Sequence, residues 1–140
     1  LDRRIDSDLW LLNGGDATEA SYGLSSPADP AALARAVPAA HLTFLRTLRP
    51  MARFGDYLFV HAGIRPGVPL DRQDPGDLLW IREAFLGSTA DHGVIVVHGH
   101  SIAPEPAFAK NRIGIDTGAY MTGVLTALVL DGEDRAVIQT

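Results

Sequence analysis

Two short apolar runs, each closing on a histidine beside a glycine, limit what this chain can become. They are Tyr57-Leu58-Phe59-Val60-His61-Ala62-Gly63 and Val94-Ile95-Val96-Val97-His98-Gly99-His100-Ser101. Such runs, rich in β-branched and aromatic residues and bounded by glycine, predict buried strands. Open α/β sheets gather ligands at the carboxyl ends of their strands, where both histidines fall. Two strand-end imidazoles, far apart in sequence, can converge on one metal ion.

The rest of the pattern surrounds these strands with helices. Asp8–Leu12 is apolar and meets Asn13-Gly14-Gly15, a helix stop. The alanine-rich run Ala31–Val37 after Pro30 predicts a short helix. Leu42, Leu45, Leu48 and Met51, with Phe44, predict an amphipathic one that Pro50 ends or kinks. Tyr57–Val60 reads as a strand, Gly63–Pro69 as a loop and Asp77–Leu86 as a helix. Val94–Val97, Arg112–Ile115 and Val124–Leu130 read as strands, the last turning at Asp131-Gly132-Glu133 into Arg135–Gln139. This order predicts an α/β (α+β) class with a mixed sheet, in one domain over residues 1–140.

Composition removes several functional classes. The chain has no cysteine, so any metal must be held by nitrogen and oxygen, and the usage fits a reducing cytoplasm. A net charge of −5 argues against a nucleic-acid binder but leaves room for a phosphate-bearing substrate, because a bound metal supplies local positive charge. No apolar run reaches the roughly 20 residues of a membrane span. The chain opens on Leu1 rather than methionine, the expectation for a processed chain or an excerpt of a longer one.

Each chemistry-bearing residue admits two readings. His61 is either a core histidine bonded to a carbonyl or a ligand beside a backbone that glycine opens. His98 and His100 would share a face if the strand ran on, but Gly99 breaks the period, which favours His100 over His98 as the ligand. Helical spacing puts Leu78, Ile81 and Phe85 on one stripe with Arg82 among them. That arginine either pairs with a carboxylate such as Asp77 or Asp116, or forks onto a phosphoryl group. Asp116 either caps a turn or accepts the free N–H of a metal-bound histidine. His41 and His92 draw no assigned role.

Six segments in order now carry a likeness. They are Trp10–Gly15, Ser21-Tyr22-Gly23, Phe59–Gly67, Leu79-Trp80-Ile81-Arg82, Val97–Ser101 and Ile115–Ala119. Together they resemble the phosphoprotein-phosphatase branch of the calcineurin-like metallophosphoesterases, nearest to serine/threonine phosphatases and dinucleoside tetraphosphatases. The resemblance implies the C-terminal portion of a four-layer α/β/β/α sandwich. It implies His61 and His100 as ligands of the second metal of a binuclear site, Arg82 as the binder of substrate phosphate, and a phosphoprotein or nucleotide substrate. The metal would be manganese, with iron, zinc or nickel as alternatives.

The family's earlier motifs, Gly-Asp-x-His-Gly, Gly-Asp-x-x-Asp-Arg-Gly and Gly-Asn-His-Glu, do not occur in this sequence. They would bring the first metal's ligands and the histidine that protonates the leaving group, so no catalytic acid is expected in this chain. The expectation is therefore either an inactive C-terminal part of a phosphoric-ester hydrolase, or a non-catalytic interaction module that keeps the fold. Loss of the N-terminal strands would leave an exposed sheet edge that favours self-association.

Overall fold

A computed structural model describes residues 7–132 and 134–140, and two compact units meet at the boundary between Leu48 and Arg49. The expected turn residue Glu133 lies outside the described residues. Among those described, no helix is long and apolar enough to cross a membrane.

The first unit is helical. α1 (Ser7–Trp10) and the residues that extend it stop at Asn13-Gly14-Gly15, as expected. Asn13 (φ −97°, ψ 26°) and Gly14 (φ +90°, ψ 19°) leave helical geometry, and a second helix, α2 (Asp16–Ser21), follows directly. The left-handed Gly14 thus ends the first helix, as glycine commonly does. Gly15 has a different duty: a Cβ there would lie 2.5 Å from Cδ2 of Trp10, so the bare backbone makes room for the indole. α3 (Pro30–Ala36) starts on Asp29, whose carboxylate accepts the Ala31 N–H while Pro30 occupies the first helical position. α4 (Ala39–Thr47) ends one residue before Leu48, so Met51 is not on it. Leu48 is already extended at ψ 139°, and Met51 begins a strand instead.

The second unit is built on a five-stranded sheet in the order β1-β2-β3-β5-β4. β1 (Met51–Phe54) and β2 (Tyr57–Val60) form an antiparallel hairpin, and β2 runs parallel to β3 (Ile95–His98). β3 runs parallel to β5 (Arg112–Gly114), and the two-residue β4 (Ala107–Phe108) closes the far edge antiparallel. The sheet is therefore mixed, as expected. A separate antiparallel pair joins β6 (Thr126–Asp131) to β7 (Asp134–Gln139), the predicted hairpin. The short α7 (Ala119–Thr122) precedes it between two left-handed glycines.

The predicted helix over Asp77–Leu86 is two helices. α5 (Pro75–Trp80) begins earlier, on the same Asp-Pro device as α3, with Asp74 accepting the Gly76 N–H at 2.7 Å. It ends because a competing bond takes its carbonyl. The Leu78 C=O, which a continuous helix would offer to Arg82, accepts the Ala62 N–H at 2.9 Å instead. Ile81 turns extended and Arg82 sits at φ −129°, ψ −103° before α6 (Glu83–Leu86) begins. Leu78, Ile81 and Phe85 are buried, whereas Arg82 is exposed rather than held on their stripe.

These three side chains meet Leu58, Val60, Ala62, Ile64, Val94 and Val96 in one hydrophobic cluster. Phe85 is its largest fully buried member, and Gly63, at φ +153°, packs against it so closely that a Cβ would fall 2.3 Å from the ring. The Phe85 ring also stands edge-on to His98, with centroids 5.1 Å apart, and lies 6.0 Å from His92.

Truncating Phe85 to alanine should therefore cost about 3–5 kcal/mol of unfolding free energy, and Gly63→Ala should also destabilise; chemical denaturation measures both. A second expectation concerns pH. Burial lowers His92 below its ordinary value of 6.5, with Asp91 opposing and Arg112 assisting, and the Asn111 amide donates to its Nε2 at 3.4 Å. A histidine whose folded-state value is depressed stabilises fully above the unfolded value, and this contribution is lost as pH falls toward the folded one. The urea midpoint should drop on acidification below 6.5, and His92→Asn should flatten that drop.

Candidate functional site

Parallel pairing of β2 with β3 brings the two histidine segments side by side. Phe59 faces Val97, and the ladder continues past the strands, with the Gly99 N–H donating to the His61 C=O at 2.8 Å. His61 and His100 consequently lie together, ring centroids 5.0 Å apart and planes inclined at 58°. A shallow cleft of about 340 Å3 opens at these strand ends, lined by His61, Gly99, Ile115 and Asp116 among others.

His100 is held in an unusual backbone conformation. Its φ is +62°, the one non-glycine residue with positive φ among those described. The left-handed region costs an L-residue roughly 1–3 kcal/mol, so other contacts must hold it there. One is Trp80, whose indole meets the imidazole edge-on at 5.5 Å while remaining 60% exposed itself. The His100 Nε2 atom is buried and has no hydrogen-bond partner among the described residues. Burial above all holds this ring below 6.5, with the charges of Arg82 and His61 acting in the same direction and Asp116 and the Trp80 backbone opposing them. It is therefore neutral at pH 7, with a nitrogen lone pair available to a ligand.

His98 is arranged differently. It is 4% exposed, on the sheet between Phe85 and Gly114, where a Cβ would meet its Nε2 at 3.3 Å. Its Nδ1 donates to the Gly99 carbonyl at 3.0 Å, which leaves Nε2 as the bare nitrogen. Gly99 breaks the strand period between the two histidines, so His98 is packed into the sheet while His100 turns to His61.

Arg82 stands at the α5–α6 break, and among the described residues no carboxylate pairs with its guanidinium. Asp77, the expected partner, is committed elsewhere. It takes a two-pronged bond from Arg65, Nε and Nη2 each at 2.6 Å, which holds the Asp77 carboxyl below its ordinary range. Gln73 accepts the Arg65 N–H and donates to the Arg65 and Val68 carbonyls, bracing the same loop. Asp116 accepts the Gly118 N–H at 3.0 Å, which is the turn-capping role. Its other oxygen would lie 3.6 Å from a Cβ at Gly99, close enough for its charge to act on His98 and His100, though neither bonds it directly.

The converging imidazoles and the unpartnered Nε2 fit two nitrogen ligands of a divalent metal. Among the described residues they are joined by no third histidine, cysteine, aspartate or glutamate. Reasoning from sequence missed Trp80 as a neighbour of His100 and missed the Arg65–Asp77 pair. Only the nearness of Trp80 to Arg82 in the chain hinted at the first, and nothing local marked the second.

No protein-family model matches the sequence, and no curated protein matches it either. The fold is similar to that in a crystal structure of a "putative diadenosine tetraphosphatase", with a TM-score of 0.61, 22% identity and 78% of this chain covered. The chain spans 59% of the length of that protein. The mixed α/β architecture is thus shared with the matched part of that structure.

The backbone of His100 separates a packing role from a ligand role. His100→Gly should leave stability unchanged or raise it by about 1 kcal/mol, because glycine adopts positive φ freely. A loss beyond about 2 kcal/mol would mark the imidazole as a packing element. Thermal denaturation without added metal distinguishes the two.

Proposed function

We propose that this chain forms one side of the active site of a metal-dependent phosphoric-ester hydrolase. The observation that carries this reading is the convergence of His61 and His100 at the strand ends, with a buried nitrogen that no group among the described residues satisfies. Each ring would give one nitrogen to a divalent ion such as manganese, iron, zinc or nickel. Such an ion, when bound, activates water and stabilises the displaced oxygen of a phosphate ester. Arg82, exposed and free of a carboxylate partner among the described residues, would hold two phosphoryl oxygens through its fork. Asp116, with one oxygen taken by its own turn, would favour a cation nearby by charge. The packed His98 is assigned no ligand role.

The substrate would be a phosphoprotein or a dinucleoside polyphosphate. The similar solved fold, whose description names a diadenosine tetraphosphate substrate, supports the second class. The two imidazoles are half of a coordination shell, and the remaining ligands and the acid for the leaving group would come from another polypeptide segment. A non-catalytic module keeping this fold is the competing reading. It is favoured by the lack of a three-ligand group among the described residues.

The 140-residue chain should accordingly bind manganese weakly and hydrolyse aryl phosphate at background rate. Manganese titrated under NMR should broaden the His61 and His100 ring signals first, and His61→Ala should abolish broadening at His100. Arg82→Ala should leave that broadening intact and weaken inorganic phosphate binding about tenfold, the loss of a charge-assisted bond of roughly 1.5 kcal/mol or more. Unchanged broadening at His100 in His61→Ala would refute the ligand pair. Metal-dependent turnover by this chain alone would refute the half-shell.

A further inference from the structure

We propose that the helical unit carries a second binding site, a cleft for an organic cation with an apolar body, built around the carboxylate of Glu19. Glu19 is only 2% exposed, on α2. Its Oε1 accepts the Ala28 N–H at 3.0 Å, while Oε2 is buried without a partner. The residue lines a cleft of about 280 Å3 whose other walls include Trp10, Leu11, Pro27, Pro30 and Leu33.

Ligand chemistry follows from what these walls offer and what they withhold. A buried oxygen with no hydrogen-bond donor costs about 1–3 kcal/mol, more when charged, and a ligand N–H would remove that cost. Anions are repelled by the carboxylate. A metal ion would need several oxygen or nitrogen ligands, and no such group exists among the described residues. A water would need two to four polar partners, which these largely hydrocarbon walls do not supply. An ammonium or guanidinium with an aromatic or alkyl body matches all of them. Its charged head would pair with Oε2 once the Glu19 side chain yields to uncover that atom, which is closed off without a ligand. Its body would lie against Trp10 and the two prolines, where an indole face also attracts a cation.

The cleft has the necessary size and is shaped in advance. A cavity of about 150 Å3 holds a benzene molecule in another protein, so this one has room for a ring with a charged arm. The Trp10 ring is seated directly over Gly15, where any Cβ would collide with it, and the Ala28 amide tethers the Glu19 carboxylate through Oε1. The site uses none of the residues at the strand-end histidines and stands or falls without them.

Titration of the full chain with benzylammonium, and with benzyl alcohol as a neutral ligand of the same shape, tests this by 1H–15N NMR. Benzylammonium should shift the Ala28 amide and the Trp10 indole N–H, and should bind about tenfold or more tighter than the alcohol, as a charge-assisted bond requires. Glu19→Gln keeps the shape and should erase the difference between the two ligands. Leu33→Phe, which fills the cleft while leaving Glu19 in place, should weaken the ammonium. Equal affinity for the two ligands in the unaltered chain would reduce the site to a generic apolar cleft. Failure of excess benzylammonium to shift Ala28 would overturn it outright.

Discussion

The hydrogen bond from the Gly99 amide to the His61 carbonyl is the contact on which the strand-end site depends. It carries the parallel β2–β3 ladder one step beyond its strands and fixes the two histidine segments against each other. A second backbone bond, Ala62 to Leu78, then ties the same turn to α5 and breaks the helix ahead of Arg82. Two main-chain bonds thus place an imidazole pair, an indole and a guanidinium around the strand ends. Their arrangement is set by sheet register and does not await a ligand, which is the physical sense of a preorganised site.

The core supports this geometry from below. Phe85 occupies the space that Gly63 leaves by having no side chain, so the turn that presents His61 rests on the largest buried ring of the unit. The Arg65–Asp77 fork and the three bonds of Gln73 brace the loop that follows. Little freedom is left for the histidine turn to move independently of α5 and α6.

The strands ending in His61 and His100 were legible because a run of β-branched and aromatic residues beside glycine has few other uses. The hairpin of β6 and β7 was legible for the same reason, aided by its Asp-Gly turn. β4 was not, because two residues leave no period to read. The α5–α6 break was hidden for a different reason. Leu78, Ile81 and Phe85 keep helical spacing across it, and the bond that interrupts the helix comes from Ala62, sixteen positions before Leu78. Glu19 was equally silent, since a glutamate in a short polar helix reads as a solvated face until the Ala28 loop folds over it.

The break before α6 has one more consequence. Because Arg82 is exposed where two helices part, and not wedged into the stripe that Leu78, Ile81 and Phe85 bury, its side chain carries little of the fold's stability. Position 82 can therefore exchange charge, length or hydrogen-bonding pattern while the scaffold stays intact. It is an adjustable dial beside a rigid pair of rings, a place where side-chain chemistry can be altered without reopening the question of folding.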